Sequence, residues 1–98
     1  MKRRYKLSKE AEKDLDSIKS YLLEEAGGRV ARYVLKELKE GMQFISDAPD
    51  AGHMREDLTD TPVKFWPVFS YLIIYDSQAR PIEIVRVLHG GRDVATIL

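Results

Sequence analysis

The chain has 98 residues, of which 44% are hydrophobic and 33% charged, with 16 Lys and Arg against 16 Asp and Glu. This length predicts one compact domain over residues 1–98 and not two, and the composition is typical of a globular chain. The balanced charge gives no overall signature of a nucleic-acid-binding protein. Because the sequence contains no cysteine, it excludes disulfides and cysteine-ligated metal sites.

Location and cofactors follow from what the sequence lacks. No apolar run approaches the roughly 20 residues that cross a bilayer, and the N-terminal residues do not form the apolar centre of a signal peptide. We therefore expect a cytoplasmic protein. The histidines, His53 and His89, have no carboxylates spaced around them as metal ligands. We expect no metal and no cofactor.

The first half of the chain predicts a short strand followed by two helices. Residues 4–7 alternate charged and apolar side chains, and Ser8 is suited to cap the helix that follows. Apolar residues at helical spacing predict both inner faces. The first stripe comprises Ala11, Leu15, Ile18 and Leu22, with Asp14 and Asp16 assigned to the outer faces; the second comprises Val30, Val34, Leu38, Met42 and Ile45, widened by Ala31 and Leu35. Gly27-Gly28 and Ala48-Pro49 are the predicted helix ends.

The second half predicts three strands. Turn-forming residues dominate residues 50–62, and strands are predicted over 63–68, 69–75 and 82–88, with a hairpin connection at 76–81 and a final helical turn at 94–98. Trp66 and Pro67 indicate an edge strand. The order β-α-α-β-β-β predicts an α+β fold, in which a helical hairpin packs on one face of a mainly antiparallel sheet and leaves the other face open.

The last strand carries the candidate functional residues. Arg86 interrupts its apolar run, and a buried arginine must be paired or face a wet groove. Two interpretations stay open, an ion pair with Glu83, Asp57 or Asp93, or contact with a target. His89 follows at the strand end, where it is either a hydrogen-bonded structural residue or an acid–base group.

Several segments together resemble the ParE branch of the RelE/ParE toxins, the toxin halves of bacterial type II toxin–antitoxin modules. The similarity spans nearly the whole chain in one order. It rests on Tyr5-Lys6-Leu7-Ser8 with Ala11 and Asp14-Leu15, on Pro49, Gly52, Arg55 and Asp57-Leu58, on Tyr71-Leu72-Ile73-Ile74-Tyr75, and on Ile84-Val85-Arg86-Val87-Leu88-His89-Gly90-Gly91-Arg92-Asp93.

The resemblance implies a RelE-like fold and a cognate antitoxin whose flexible part folds on the toxin, in a complex that reaches DNA through the antitoxin. It also implies one of two targets, because ParE-type members are associated with inhibition of DNA gyrase and RelE-type members cut mRNA on the ribosome. A degenerate module that only binds its antitoxin is a third alternative. No aromatic residue follows Tyr75, whereas the RNA-cutting members often carry a late tyrosine. This difference favours the gyrase-directed branch.

Metal-free RNA cleavage needs an acid, a base and cations for the phosphate, and the candidates for such catalysis are Arg86 and His89. The candidate target contacts are Arg55, Lys64, Arg86, His89 and Arg92. Apolar residues at the margins of the helices are expected to stay partly exposed until an antitoxin covers them. These are Tyr21, Leu23, Tyr33 and Leu35, with Trp66 on the neighbouring strand.

Overall fold

The computed structural model describes residues 5–91 and 94–97. The elements are β1 (Tyr5–Leu7), α1 (Lys9–Glu25), α2 (Gly28–Asp47), a 3-10 turn (Pro49–Ala51), β2 (Lys64–Val68), β3 (Tyr71–Asp76), β4 (Ile82–His89) and α3 (Val94–Ile97). This order confirms the predicted β-α-α-β-β-β arrangement, with α3 as the short final turn. None of the described helices is long and apolar enough to cross a membrane.

The sheet has four strands in the order β1-β4-β3-β2. β2 pairs with β3 and β3 with β4 in antiparallel fashion, whereas β1 runs parallel to β4. The mainly antiparallel sheet is therefore confirmed, and β2 is the edge strand that Pro67 indicated. Because β1 joins the last strand rather than the next one, the first and last strands lie side by side in the sheet.

The first helix begins and ends as its sequence predicts. The Ser8 hydroxyl accepts a hydrogen bond from the Ala11 N–H at 2.9 Å, which satisfies one of the free donors of the first turn. The helix closes at Gly27, whose φ of 89° lies in the left-handed region that glycine adopts without strain. Gly28 does not end α1 but begins α2. The short joint makes α1 and α2 an antiparallel hairpin.

The inner face of α2 differs from the predicted stripe at its first turn. Leu38, Met42 and Ile45 are buried as predicted, but Val30 is exposed and Ala31 is buried instead. The reason is helical phase: seven residues separate Ala31 from Leu38, which returns nearly to the same face, whereas eight residues turn Val30 about 80° away.

Both faces of the sheet are covered, so the predicted open face is wrong. The larger core lies under the helical hairpin, where the fully buried side chains include Leu38, Ile45, Ile73, Tyr75 and Ile84. A second cluster lies on the opposite face and contains Val63, Phe65, Ile74, Leu88 and Val94, with Leu58, Leu72 and Val85 packed against it. Strands β3 and β4 are apolar on both faces, and Leu58 of the long connection and Val94 of α3 cover the second face.

Candidate functional site

A concavity of about 700 Å³ opens at the end of the sheet where β4 finishes and β3 begins. It lies between α1, the turn that joins β2 to β3, and α3. Its walls are mostly aromatic and aliphatic. The lining residues are Asp14, Ser17, Ile18, Tyr21, Leu22, Val34, Phe69, Ser70, Tyr71, Arg86, Val87, Leu88, His89 and Ile97.

Arg86 reaches this concavity because β4 bulges. Tyr75 of β3 pairs with Ile84 and Ile74 pairs with Arg86, so Val85 is an extra residue in β4. The bulge lets Ile84 and Val87, three positions apart, both enter the core under the helices. Arg86 extends across the edge of β4 beyond the end of β1 and meets α1.

On α1, Arg86 finds a carboxylate that the sequence did not suggest as its partner. Its Nε and Nη2 donate to Asp14 Oδ2 and Oδ1 at 2.7 and 2.8 Å. The two side chains are only 23% and 12% exposed. The hydrogen bonds from Arg86 to Asp14 raise the pKa of the guanidinium, against the opposing effect of burial. The proposed partners Glu83 and Asp57 are therefore wrong, and Asp93 lies outside the described residues.

The same part of α1 completes the hydrogen bonding of β4. β1 ends opposite Ile84, so among the described residues the rest of this edge of β4 has no neighbouring strand. Asp14 Oδ2 accepts the Val87 N–H at 3.0 Å, and the Ser8 hydroxyl donates to the Val85 carbonyl at 2.6 Å. We call Ser8, Asp14 and Arg86 the polar clamp. Because buried backbone groups need partners, α1 is fixed against the bulge by this clamp.

His89 lies at the mouth of the concavity, on the exposed end of β4. Its ring meets Tyr71 edge to face, with ring centres 5.5 Å apart. Its Nδ1 accepts the Gly91 N–H at 3.1 Å, so the neutral ring carries its proton on Nε2. The Nδ1 lone pair is therefore engaged by the Gly90-Gly91 turn of the same chain.

The other predicted target contacts do not all gather here. Arg55 lines a second, smaller concavity of about 300 Å³ that shares Phe69, Ser70 and Tyr71 with the first. Its Nε and Nη2 donate to the exposed carboxylate of Asp57 at 3.0 and 2.9 Å. This pairing raises the pKa of Arg55 and lowers the pKa of Asp57.

Lys64 lies at the far end of β2 from this site. It pairs with Tyr75 in the sheet, whereas His89 pairs with Tyr71, so about 13 Å of strand separates them. Its Nζ lies 3.4 Å from Asp50 Oδ1. Arg92 lies outside the described residues. The structure therefore brings Arg86 and His89 to one concavity, places Arg55 beside it and removes Lys64 from it.

The helix margins carry the expected exposed apolar residues. Tyr21, Leu23 and Tyr33 are exposed, while Leu35 and Trp66 are half-buried and pack against the core. Tyr21 lines the large concavity. The Tyr33 ring lies 5.8 Å from that of Phe69, and the Trp66 ring lies 5.0 Å from that of Phe44. One aromatic pair thus borders the concavity, and the other lies farther along α2.

Phe69 is the site residue that the sequence misplaced. The strand prediction put it at the start of β3, but the Val68–Tyr71 pairing leaves Phe69 and Ser70 as a two-residue turn. Its φ of 55° is an outlier for a bulky residue. Such a conformation costs on the order of 1–3 kcal/mol. Phenylalanine is a strong strand former, and its sequence alone gives no signal for a turn.

Chemically, the large concavity suits apolar contact better than phosphate binding. Among its described lining residues the oppositely charged side chains are Asp14 and Arg86, which pair with each other. Within the described part of the chain, no cluster of three His, Asp or Glu side chains could hold a metal ion. The walls can instead receive aliphatic or aromatic side chains of another protein.

Comparisons with known proteins agree with this fold. A family model described as the ParE toxin of the type II toxin–antitoxin system parDE matches residues 5–94. The structure is similar to a chain of the chromosomal ParDE toxin–antitoxin system from P. aeruginosa, with a TM-score of 0.73 and 18% sequence identity, over 87% of this chain and 92% of that chain. At this identity the likeness shows the fold. Among curated proteins, none matches the sequence.

Proposed function

Because the chain belongs to the ParE toxins of type II toxin–antitoxin systems, we propose that it arrests growth by binding DNA gyrase and that it performs no chemistry on its target. The choice of gyrase rests on the resemblance of residues 71–93 to the ParE branch. The proposed place of action is the cytoplasm, where gyrase works on DNA.

The observation that carries this proposal is the neutral, aromatic character of the large concavity. A nuclease of this kind would need free cations for the phosphate and an acid–base pair. Here the Arg86 guanidinium donates to Asp14 through Nε and Nη2, and the His89 Nδ1 accepts the Gly91 N–H, so both candidate groups are engaged within the chain. Exposed aromatic side chains around an apolar hollow are typical of protein-contact surfaces.

The proposed antitoxin contact lies on the margins of the helical hairpin. Tyr21, Leu23 and Tyr33 are exposed there, and an amphipathic segment with its apolar face toward them would bury all three. Leu35 and Trp66 would lie at the border of the contact, since they are already half-buried. The complex would reach operator DNA through the antitoxin, in keeping with the toxin's balanced charge.

A supercoiling assay tests the gyrase proposal. The purified toxin should block supercoiling by purified gyrase and stabilise cleaved DNA, and addition of the antitoxin encoded beside the toxin gene should restore supercoiling. Normal supercoiling at saturating toxin would reject gyrase as the target. Expression with and without the antitoxin gene gives the matching cellular result, growth arrest and its relief.

The second candidate is a ribosome-dependent mRNA endonuclease, favoured by one observation: Arg86 and His89 line the same concavity. Primer extension on transcripts after induction would then show codon-linked cuts that disappear in Arg86→Ala. Intact transcripts during growth arrest would reject it. Induction without any growth arrest would instead select the third alternative, a degenerate module that binds only its antitoxin.

A further inference from the structure

Phe69 occupies a backbone position where its side chain is unfavourable. Two-residue hairpin turns need a positive φ at their first residue, and glycine fills this position without strain. Phe69 has a φ of 55° there, and 58% of the residue is exposed, so burial gives little compensation. Its ring touches Tyr33, which is itself exposed. By these criteria the fold would be better served by glycine.

The position of Phe69 gives the side chain a second use. It lines both concavities, together with Ser70 and Tyr71. On one side lie Tyr21 and His89, and on the other lies Arg55 together with the Gly90-Gly91 turn. A partner that contacts both faces of the Phe69 ring therefore also contacts the large apolar concavity and the Arg55 guanidinium.

We propose that Phe69 is the anchor residue for the target protein, and that the target segment carries a bulky apolar side chain close to a carboxylate. The apolar side chain would enter the large concavity against the Phe69 ring. The carboxylate would meet Arg55, whose Nη1 has no hydrogen-bond partner among the described residues because Asp57 engages Nε and Nη2. The inference rests on the proposed function in one respect, that the target is gyrase.

The lining of the smaller concavity favours the target over the antitoxin. It includes Arg55, and it includes none of the residues of the helical hairpin that we propose as the antitoxin contact. A partner that contacts only the helical hairpin of α1 and α2 would reach only one face of Phe69. A partner that uses both faces must extend over the Gly90-Gly91 turn, on the side where the cation lies.

The test compares Phe69→Gly with Phe44→Ala, each titrated into supercoiling by purified gyrase. Phe44 is a suitable control because it is also an exposed phenylalanine in contact with one aromatic ring, and it does not line either concavity. Phe69→Gly should need about tenfold more protein for half-inhibition, the loss expected of an anchor residue. Its urea midpoint should equal or exceed that of the wild type. Phe44→Ala should inhibit normally.

Three results would overturn the proposal. Phe69→Gly could inhibit gyrase like the wild type, which would show that the ring does not contact the target. Its urea midpoint could fall below that of the wild type, which would make Phe69 a packing residue. It could also lose binding only to the antitoxin encoded beside it, which would make the antitoxin the occupant.

Failure of the wild type to inhibit gyrase would reject the proposed function but not the role of Phe69. In that case growth arrest on induction provides the measurement, because it does not depend on which target is correct. Phe69→Gly should then relieve the arrest and Phe44→Ala should not. Equal growth arrest by both variants would contradict the proposed role of Phe69.

Discussion

The two sides of the large concavity are held in different ways. On the side of β4, the polar clamp joins α1 to the bulged strand through charged and backbone hydrogen bonds of 2.6 to 3.0 Å. On the opposite side, Tyr21, Tyr33 and Phe69 are all more than half exposed. The rings of Tyr33 and Phe69 contact each other in a tilted arrangement. Charged groups serve the fold here, and the exposed aromatic groups are the ones that we propose as partner contacts.

In a site that contains an arginine and a histidine, the charged residues are usually expected to be the functional ones, and this difference indicates the opposite. Arg86 looks functional in the sequence because it interrupts an apolar strand, yet its Nε and Nη2 donate to Asp14 within the same chain, and this pair is more buried than the Arg55–Asp57 pair. The most exposed aromatic side chains are instead Tyr21, Tyr33 and Phe69. Mutations on the two sides should therefore separate stability from partner binding.

The largest effect is expected on the clamped side, from Asp14→Ala. The substitution leaves the Arg86 charge and the Val87 N–H without their acceptor, and breaking a largely buried ion pair costs about 3 kcal/mol. For a domain of this size that corresponds to a decrease in Tm of about 15 °C. Thermal and urea unfolding followed by circular dichroism would measure it.

Asp16→Ala is the matched control for this substitution. Asp16 is an exposed aspartate two positions further along the same helix, and its removal should change the free energy of unfolding by less than about 0.5 kcal/mol. If the two alanine variants unfold alike, the clamp does not hold α1 against β4.

The next largest effect on the free energy of unfolding is expected in a double-mutant cycle of Asp14→Ala and Arg86→Ala. Removing both partners avoids the unpaired charge, so the double variant should be more stable than the sum of the single losses predicts, by about 2 kcal/mol. Unfolding in urea gives the coupling energy. The functional arm uses Asp14→Leu with Arg86→Met, which should fold and still arrest growth. A folded double variant that no longer arrests growth would contradict a purely structural role for this pair.

The clamp also shows what the sequence could have revealed. Asp14 lies three residues after Ala11 and four before Ile18, so it belongs to the apolar stripe of α1 rather than to a solvent face. An acidic residue in such a stripe indicates a buried cationic partner. The position of the bulge at Val85 could not be predicted in this way, because it depends on how β4 pairs with β3.

The order of elements, both helices and the edge position of β2 were predictable because each depends on local patterns, namely helical spacing, the Ser8 cap and Pro67. The covered second face and the turn at Phe69 were not. Both depend on contacts between residues that are distant in sequence or on different strands. Val94 and Leu58 pack on the second face of the sheet. The pairing of Val68 with Tyr71 places Phe69 in the turn between β2 and β3. Long-range pairing overrides the strand propensity of one phenylalanine.

On the aromatic side, Tyr21→Ala should leave stability almost unchanged, within about 0.5 kcal/mol, because the side chain is mostly in water. We expect binding of the antitoxin to weaken about tenfold, since large aromatic side chains dominate such contacts. Isothermal titration with the purified antitoxin measures the loss. Lys19→Ala, at an exposed position of α1 that does not line the concavity, is the control. Equal affinity for all three proteins would contradict the antitoxin contact on the hairpin.

The smallest effect concerns the exposed pair beside the concavity, Arg55 and Asp57. Arg55 lowers the pKa of Asp57 below its ordinary value of 3.8, so the ionised carboxylate stabilises the folded chain above that pH and the contribution is lost as the pH falls through the lowered pKa. NMR titration should place the Asp57 pKa below 3.8 in the wild type and return it toward 3.8 in Arg55→Gln. Because both groups are in water, solvent screens the pair, and the two proteins should unfold alike above pH 4. A clear loss of stability for Arg55→Gln at neutral pH would mean that this pair holds the fold as the Asp14–Arg86 pair does, and Arg55 would then not be free to meet a partner's carboxylate.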